Sequence, residues 1–196
     1  MDVEVKVIEG GVRKYQNKSL VQKLRNQYFK LKVSGNPQNL FVEKSVQFLR
    51  HPKNIHLSNN IIIKEGSKLC PTNKDAIIKI GENTTIGYYS MLFGSLKIEI
   101  GANCLIAPFA YFVDANHGIK RNKLINQQDL KAKPIKIHND VWIGANVTIL
   151  SGAHLSKGVV VVAGSVVSGF VKPYSVIIGN PARMCKSRLK EKNDKI

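Results

Sequence analysis

The sequence has no long apolar run, one tryptophan and three cysteines among its 196 residues. A membrane-spanning helix needs about 20 mostly apolar residues, so such a helix is excluded. Cys70, Cys104 and Cys185 are far apart and odd in number, which favours reduced thiols of a cytosolic protein over a disulfide framework or a zinc site. The first ten residues contain acids where a secretory leader has a basic and then an apolar stretch, so we expect no leader.

Acidic residues are also scarce, because 13 Asp and Glu stand against 30 Lys and Arg and give a net charge of +17. The bases concentrate in residues 13–32, in residues 118–136 and from residue 183 onward. Such fields attract anions, for example the phosphates of coenzyme A, an acidic glycan or a lipid-linked pyrophosphate. We expect no nucleic-acid partner, because the sequence has no helix-turn-helix, zinc finger or RNP-like aromatic pattern.

A period of six residues dominates the second half of the chain. One aliphatic series recurs at every sixth position, and a small or β-branched series follows it four places later. The aliphatic series is Ile137, Ile143, Ile149, Leu155, Val161 and Val167, and the small series is Val141, Val147, Ala153, Val159, Ser165 and Val171. Neither a helix nor an alternating strand has this period. It predicts a triangular parallel coil in which three hexads make one turn and stacked turns bury a continuous column.

The upstream repeats are less regular. Two further aliphatic series are offset by two residues near residues 95–98, namely Ile80, Ile86, Leu92 and then Ile100, Ile106, Phe112. We therefore assign residues 51–182 to the β-helix, with a long excursion at residues 114–136. Long loops in compact solenoids are usually functional. Residues 183–196 form a basic C-terminal tail.

Residues 1–50 form a separate basic segment with an amphipathic helix. Ser19 is its expected cap, and the apolar stripe comprises Leu20, Val21, Leu24, Tyr28 and Leu31. We expect the helix to pack across one end of the solenoid and cover its open edge. The alternative is a basic helix that lies on a membrane surface.

Four segments resemble the hexapeptide-repeat acetyltransferases: IGANCLIAPFAYFVDANHG, DVWIGANVTILSGAHL, AGSVV and IIGNPARMCKSR. That family includes galactoside, maltose and xenobiotic acetyltransferases and polysaccharide O-acetyltransferases. The resemblance covers over half of the chain. It implies an all-β, left-handed parallel β-helix that forms a homotrimer, with an acetyl-CoA site in each groove between neighbours.

The resemblance also implies roles for individual residues. His117 matches the catalytic histidine and would act as general base, with Asp114 or a backbone carbonyl fixing its tautomer. The positions implied for acetyl-CoA are Trp142, Gly144, Ala145, Ala163, Gly164, Ser168, Arg183 and Lys186. The residues assigned to acceptor binding are Asn116, Tyr89 and Ser95. Gly87 and Ser95 stand where the galactoside enzymes hold their sugar with Asn and Asp, so we expect an acceptor other than a free galactoside.

The resulting prediction is an acetyl-CoA-dependent O-acetyltransferase that acts on a sugar hydroxyl in surface polysaccharide biosynthesis, in a ternary complex. The basic segments favour an acidic or lipid-linked glycan acceptor and peripheral contact with the inner face of the membrane, hence a cytoplasmic location. The alternatives are N-acetylation of an amino sugar or nucleotide-linked sugar, and acetylation of a xenobiotic.

Two rival classes share the fold. A non-catalytic solenoid would need neither His117 nor an outward Trp142. A γ-type carbonic anhydrase binds zinc through three histidines, and His117 and His138 lack a third at suitable spacing, so no metal is expected. His138 and His154 stand next to inward aliphatic residues and should therefore face outward.

Overall fold

The computed structural model describes residues 19–189, and the remaining parts of the two terminal basic segments lie outside the described residues. The described residues form one α-helix, α1 (Leu20–Lys32), two 3₁₀ turns (Pro52–Asn54 and Ile125–Gln127) and 22 short strands. In chain order the strands are β1 (Phe41–Val42), β2 (Gln47–Phe48), β3 (Ile55–Leu57), β4 (Ile62–Ile63), β5 (Lys68–Pro71), β6 (Ile77–Ile80), β7 (Thr85–Ile86), β8 (Met91–Gly94), β9 (Lys97–Ile100), β10 (Leu105–Ile106), β11 (Tyr111–Val113), β12 (Ala115–His117), β13 (Leu130–Ala132), β14 (Ile135–Ile137), β15 (Trp142–Ile143), β16 (Thr148–Ile149), β17 (His154–Leu155), β18 (Val160–Val161), β19 (Val166–Val167), β20 (Phe170–Val171), β21 (Ser175–Gly179) and β22 (Ala182–Ser187).

The strands stack into a left-handed parallel β-helix of about six turns, as the sequence predicts. Face 1 of the prism contains β1, β4, β7, β10, β15, β18, β21 and β22. Face 2 contains β2, β5, β8, β11, β16 and β19, and face 3 contains β3, β6, β9, β14, β17 and β20. The chain passes from face 1 to face 2 to face 3 in each coil, and we name the corners edge 1–2, edge 2–3 and edge 3–1.

The six-residue period is confirmed as the interior of the prism. The aliphatic series from Ile137 to Val167 is at most 2% exposed, and in the small series the side chains from Val141 to Ser165 are at most 1% exposed. The corners contain residues with positive φ, for example Asn146 (56°) and Gly164 (73°), a conformation that asparagine and glycine adopt most readily. The buried apolar side chains therefore determine where the faces lie, and the residues that tolerate positive φ determine where the corners lie.

The first coil begins earlier than the boundary at residue 51 that the sequence suggests. Phe41 and Val42 pair in parallel with Ile62 and Ile63, so β1 already belongs to face 1. The corner that precedes β3 contains the 3₁₀ turn Pro52–Asn54, and this extra length interrupts the period of six. Because of this irregular corner, a search for six-residue repeats does not detect the first coil.

Helix α1 covers the open end of the first coil, but with the face opposite to the one expected. Ser19 caps it, because its hydroxyl oxygen accepts a hydrogen bond from the backbone N–H of Gln22 at 3.3 Å. The buried side chains of α1 are Gln22 and Phe29. The predicted apolar stripe, from Leu20 to Leu31, is 52–71% exposed. Within residues 19–189, no helix is long and apolar enough to cross a membrane.

Candidate functional site

The long loop leaves the prism at edge 2–3, where Asp114 anchors it. The Asp114 side chain is fully buried, and its carboxylate accepts hydrogen bonds from the backbone N–H groups of Ser95 (2.7 Å), Leu96 (2.9 Å) and Lys97 (2.7 Å). These N–H groups belong to the corner of the preceding coil, where the sequence register shifts by two residues. The longer corner and the buried carboxylate therefore stabilise each other.

This geometry corrects the role assigned to Asp114. Both of its oxygens are bonded to the preceding coil, and residues three apart along an extended strand point to opposite faces. Asp114 therefore does not fix the tautomer of His117. It is a positioning residue that holds the start of the loop.

The return of the loop is tied to the same point. The backbone carbonyl of Asp114 accepts hydrogen bonds from the Lys133 backbone N–H at 2.9 Å and from the Ser151 hydroxyl at 2.8 Å. Between these anchors β12 and β13 pair antiparallel, with His117 opposite Leu130. The loop therefore has a rigid two-stranded base, and His117 stands where that base ends.

His117 is exposed and borders a groove of about 760 Å³. Among residues 19–189 its imidazole makes no hydrogen bond, so both ring nitrogens are accessible. Two groups of side chains share the groove, the apolar Ile119, Leu124 and Ile125 and the basic Lys120, Arg121 and Lys123. The apolar group escaped prediction because it has no period, although three large aliphatic residues in a polar loop are a usable signal.

The three residues assigned to acceptor binding lie apart. Asn116 precedes His117 on β12, so its side chain points to the opposite face of the hairpin. Tyr89 lies on edge 1–2, where its ring stacks on Phe109 at a centroid distance of 5.6 Å. Ser95 lies at the loop base, and its backbone N–H is bonded to Asp114. Asn116 and Ser95 are therefore near the start of the loop, whereas Tyr89 lies on a different edge.

Trp142 is on the outer surface of face 1, as the sequence predicts, and is 53% exposed. The strand registers place it in a row across face 1. The row consists of Leu105, Trp142, Val160, Val176 and Lys186. Adjacent strands lie about 4.8 Å apart, so the row leads from an apolar surface to a cation about 14 Å beyond the indole.

The remaining residues assigned to coenzyme A divide between two edges. Gly144, Ala145, Ala163 and Gly164 stack on edge 1–2, whereas Ser168 lies on edge 2–3. A Cβ at Gly144 would lie 2.6 Å from the backbone N of Ala163, so this glycine allows close stacking of coils rather than access for a ligand. A Cβ at Gly164 would meet nothing within 4 Å, which leaves its backbone open to a ligand.

Strand β22 closes face 1 at the C-terminal end by pairing antiparallel with β21. Arg183 lies opposite Ile178 and Lys186 opposite Val176. Both basic side chains are exposed. The beginning of the predicted basic tail is thus an ordered part of the face that carries Trp142.

Within one chain the candidate site is divided. His117 and its groove rise from edge 2–3, whereas the Trp142 row and the open backbone at Gly164 lie on face 1 and edge 1–2. Face 2 separates the two groups, so a single prism does not bring the imidazole next to the Trp142 row.

Face 3 carries a feature outside this site. His138 and His154 face outward as expected, and their Nε2 atoms lie 2.9 Å apart. Burial lowers the pKa of His138, with further contributions from Lys136 and His154. His138 lines a groove of about 730 Å³ that contains none of the residues assigned to the reaction. In the described part of the chain, no group of three or more His, Cys, Asp or Glu side chains could hold a metal ion.

Comparison with known sequences finds the same hexapeptide repeat and several acetyltransferase relatives. Residues 134–168 match the family model described as the hexapeptide repeat of succinyl-transferase. A probable acetyltransferase of Mycobacterium tuberculosis is 29% identical over 150 residues, which is 76% of this chain and 50% of that protein. A putative lipopolysaccharide biosynthesis O-acetyl transferase of Escherichia coli is 29% identical over 147 residues, which is 71% of this chain and 74% of that protein. The chain therefore spans half the length of the mycobacterial relative.

Solved structures show the same architecture. A hexapeptide-repeat acetyltransferase from Vibrio cholerae superimposes with a TM-score of 0.66 at 26% identity, over 89% of this chain and 85% of that one. An N-acyltransferase variant from Bacillus cereus, in complex with dTDP and coenzyme A, gives a TM-score of 0.73 at 23% identity over 86% and 90%. The coils, the matched repeat and these relatives together show that the chain has the hexapeptide-repeat β-helix fold and is similar to the hexapeptide-repeat acetyltransferases.

Proposed function

We propose that the protein transfers the acetyl group of acetyl-CoA to a sugar hydroxyl, with His117 as general base in a ternary complex. The observation that carries this proposal is the placement of His117. It stands at the end of a rigid hairpin, exposed, beside a groove that is both apolar and basic. The O-acetyltransferase relative from Escherichia coli supports oxygen as the accepting atom.

The chemistry requires a base because a neutral hydroxyl is a weak nucleophile. The imidazole of His117 removes the hydroxyl proton as the oxygen attacks the thioester carbonyl. The tetrahedral intermediate then collapses, its C–S bond breaks, and the imidazolium returns the proton to the leaving thiolate of coenzyme A. General-base catalysis of this kind contributes about 10²–10⁴-fold to the rate. A backbone N–H would stabilise the oxyanion.

The donor is proposed to lie along the Trp142 row. Its apolar part, Leu105, Trp142, Val160 and Val176, suits the pantetheine arm, and Lys186 at the end of the row suits a phosphate. Arg183 adds a second cation on the same strand. The backbone at Gly164 is open at the neighbouring edge and permits close approach of the arm.

A homotrimer would unite the two halves of the site. Because His117 lies at edge 2–3 and the Trp142 row on face 1 of the same prism, the donor groove of one subunit has to meet the loop of its neighbour. Closed cyclic symmetry places each edge 2–3 against the next subunit in the same way, which yields three equivalent sites. The divided site of the single chain supports this arrangement.

The acceptor is proposed to be an anionic, lipid-linked glycan of surface polysaccharide biosynthesis. The three aliphatic side chains of the groove suit a lipid or an apolar carrier, and its three cations suit a pyrophosphate. Coenzyme A thioesters are cytoplasmic metabolites, so we place the reaction in the cytoplasm.

The decisive experiment replaces His117 by alanine. We expect kcat to fall by about 10²–10⁴-fold while calorimetric affinity for coenzyme A stays unchanged. His56→Ala, which removes a histidine from face 3, is the matched control and should retain wild-type turnover. Wild-type turnover of the His117→Ala protein would refute the role of His117 as general base.

Product analysis tests the accepting atom. Mass spectrometry should find the acetyl group on glycans that carry only hydroxyls, with amino sugars offered in parallel. Acetylation confined to the amino sugars would refute oxygen as the accepting atom and indicate N-acetylation instead.

A further inference from the structure

Helix α1 is attached to the solenoid by a polar and aromatic face. The Gln22 side-chain amide donates a 2.6 Å hydrogen bond to the backbone carbonyl of Val42, and the Asn26 side-chain oxygen accepts from the Val42 N–H at 3.0 Å. Phe29 packs edge-on against Phe48 at a centroid distance of 4.7 Å. These contacts satisfy the free backbone edge of β1, which explains why polar side chains occupy the buried face.

The opposite face of α1 is apolar and uncovered. Its side chains, in order with their exposed fractions, are Leu20 (71%), Val21 (64%), Leu24 (64%), Tyr28 (52%) and Leu31 (67%). At about 100° per residue they occupy an arc of about 100°, centred about 140° away from Gln22 and Phe29. The stripe therefore points away from the end of the prism that α1 covers.

Cations border this stripe on both sides. At about 100° per residue, Lys23 and Lys30 lie on one side of the stripe and Arg25 and Lys32 on the other, and the helix contains no acidic residue. The Arg25 guanidinium also donates a 2.9 Å hydrogen bond to the Gln22 side-chain oxygen. The ammonium group of Lys32 lies 4.5 Å from the centroid of the Tyr28 ring, next to the stripe. A central apolar band with basic margins is the pattern of a helix that lies in a membrane interface.

We infer that the outward face of α1 docks onto an anionic lipid surface. The apolar side chains would enter the boundary between head groups and acyl chains, and the three lysines would pair with lipid phosphates. The solenoid would then stand end-on to the membrane. This inference does not depend on the proposed acetyl transfer.

A second copy of the chain is a poorer occupant. Two such faces would bring four cations against four, with no acidic side chain in either helix to compensate. A helix of 13 residues is only about 20 Å long, so it offers far less than the roughly 800 Å² per partner of a stable interface. Charge and area both favour lipid.

Cosedimentation of the full chain with vesicles tests the inference. One set contains phosphatidylcholine alone, and the other contains one third phosphatidylglycerol. Because a chain of net charge +17 is attracted to any anionic surface, the informative variant keeps the charge and removes apolar groups. Leu24→Ser with Leu31→Ser should weaken partitioning onto the anionic vesicles by at least about tenfold.

A matched control removes equally exposed side chains elsewhere. Phe170→Ser with Leu189→Ser replaces residues that are 64% and 58% exposed, again without a change of charge, and should partition like the wild type. Circular dichroism of both proteins should show unchanged structure, since Gln22 and Phe29 remain. The double variant Lys23→Glu with Lys30→Glu should also dissociate from the anionic vesicles at moderate salt.

Three outcomes would overturn the inference. The first is equal partitioning of the two double-serine proteins, and the second is equal binding to both kinds of vesicle. The third is a wild-type oligomer in light scattering that dissociates when Leu24 and Leu31 become serine, which would make a second copy the occupant.

Discussion

Oδ1 of Asp114 accepts a 2.7 Å hydrogen bond from the backbone N–H of Ser95, across two neighbouring coils. The other carboxylate oxygen accepts from Leu96 and Lys97. One buried side chain thus closes the corner of one coil and starts the loop of the next. Asp114 directly precedes the strand that carries His117, so this link holds the base of the loop.

Asp114→Asn should weaken the anchor strongly. The amide has one oxygen and one NH₂ group, so at least one backbone N–H would face a donor. Hydrogen bonds to charged groups contribute about 1.5–3 kcal/mol each, and we expect the free energy of unfolding to fall by about 2–3 kcal/mol in urea titrations. Asp129→Asn, an exposed change in the same loop, should shift it by less than about 0.5 kcal/mol.

The same variant separates positioning from catalysis. A loosened loop should raise the KM for acceptor and the rate of proteolysis within residues 118–129, with the pH profile of kcat unchanged. A displaced pH profile at unchanged stability would instead mean that Asp114 acts on the imidazole.

The sequence predicted the coils from residue 51 onward because apolar burial in a prism imposes a strict period. It missed the first coil because the 3₁₀ turn Pro52–Asn54 interrupts that period. The prediction of which face of α1 is buried was wrong for another reason. Amphipathicity measures apolar area, whereas the free edge of β1 required the hydrogen-bonding groups of Gln22 and Asn26.

The candidate site was predicted residue by residue but not in its layout. Motif matching cannot tell which edge of the prism a corner residue occupies, so Ser168 was grouped with Ala163 although they lie on different edges. The outward orientation of Trp142 could be predicted from the sequence, because a residue next to an inward aliphatic one in a strand must face out. The division of the site between two edges required the strand order.

Trp142→Ala should reduce affinity for the donor without loss of stability. The indole is half exposed, so its removal leaves no cavity in the core. We expect the Kd for coenzyme A to rise about tenfold, equivalent to about 1.4 kcal/mol, in isothermal titration calorimetry. Phe170→Ala is the control, because it removes an exposed aromatic ring from face 3. Similar losses of affinity in both proteins would argue against a donor site on face 1.

Two glycines on edge 1–2 should respond differently to alanine. Gly144→Ala places a Cβ 2.6 Å from the backbone N of Ala163, so the coils must separate, and we expect a loss of about 2 kcal/mol in thermal unfolding. Gly164→Ala meets open space but has φ of +73°, which costs about 1 kcal/mol. The donor should distinguish them further, since only Gly164→Ala is expected to block its approach. Equal affinity of the Gly164→Ala protein and the wild type for coenzyme A would contradict the proposed groove.

The pair of His138 and His154 should make the fold sensitive to acid. At 2.9 Å between Nε2 atoms, one ring donates and the other accepts, so the pair cannot hold a proton on every nitrogen. Burial lowers the pKa of His138 in the folded state, whereas the unfolded chain titrates near 6.5. Below about pH 6.5 the unfolded state therefore binds more protons, and stability should fall as pH decreases. His138→Gln should flatten this dependence in melting curves between pH 7.5 and 5.5, and His56→Gln should leave it intact.

Thiol reactivity should separate the three cysteines. Burial raises the pKa of Cys104 to about 11, and burial also raises that of Cys70, whereas Cys185 is exposed on β22. Because the thiolate is the reactive form, a disulfide reagent at pH 8 should modify one thiol rapidly in the native protein and all three after denaturation. Cys185→Ser should abolish the rapid phase.

The same burial predicts a loss of stability in alkali. Above about pH 9 the unfolded chain releases the Cys104 proton, whereas the folded chain retains it until about pH 11. The unfolded state then binds fewer protons, so the free energy of unfolding should decrease as pH rises between these values. Cys104→Ala should reduce this slope relative to the wild type, and an unchanged slope would show that the thiol titrates normally inside the prism.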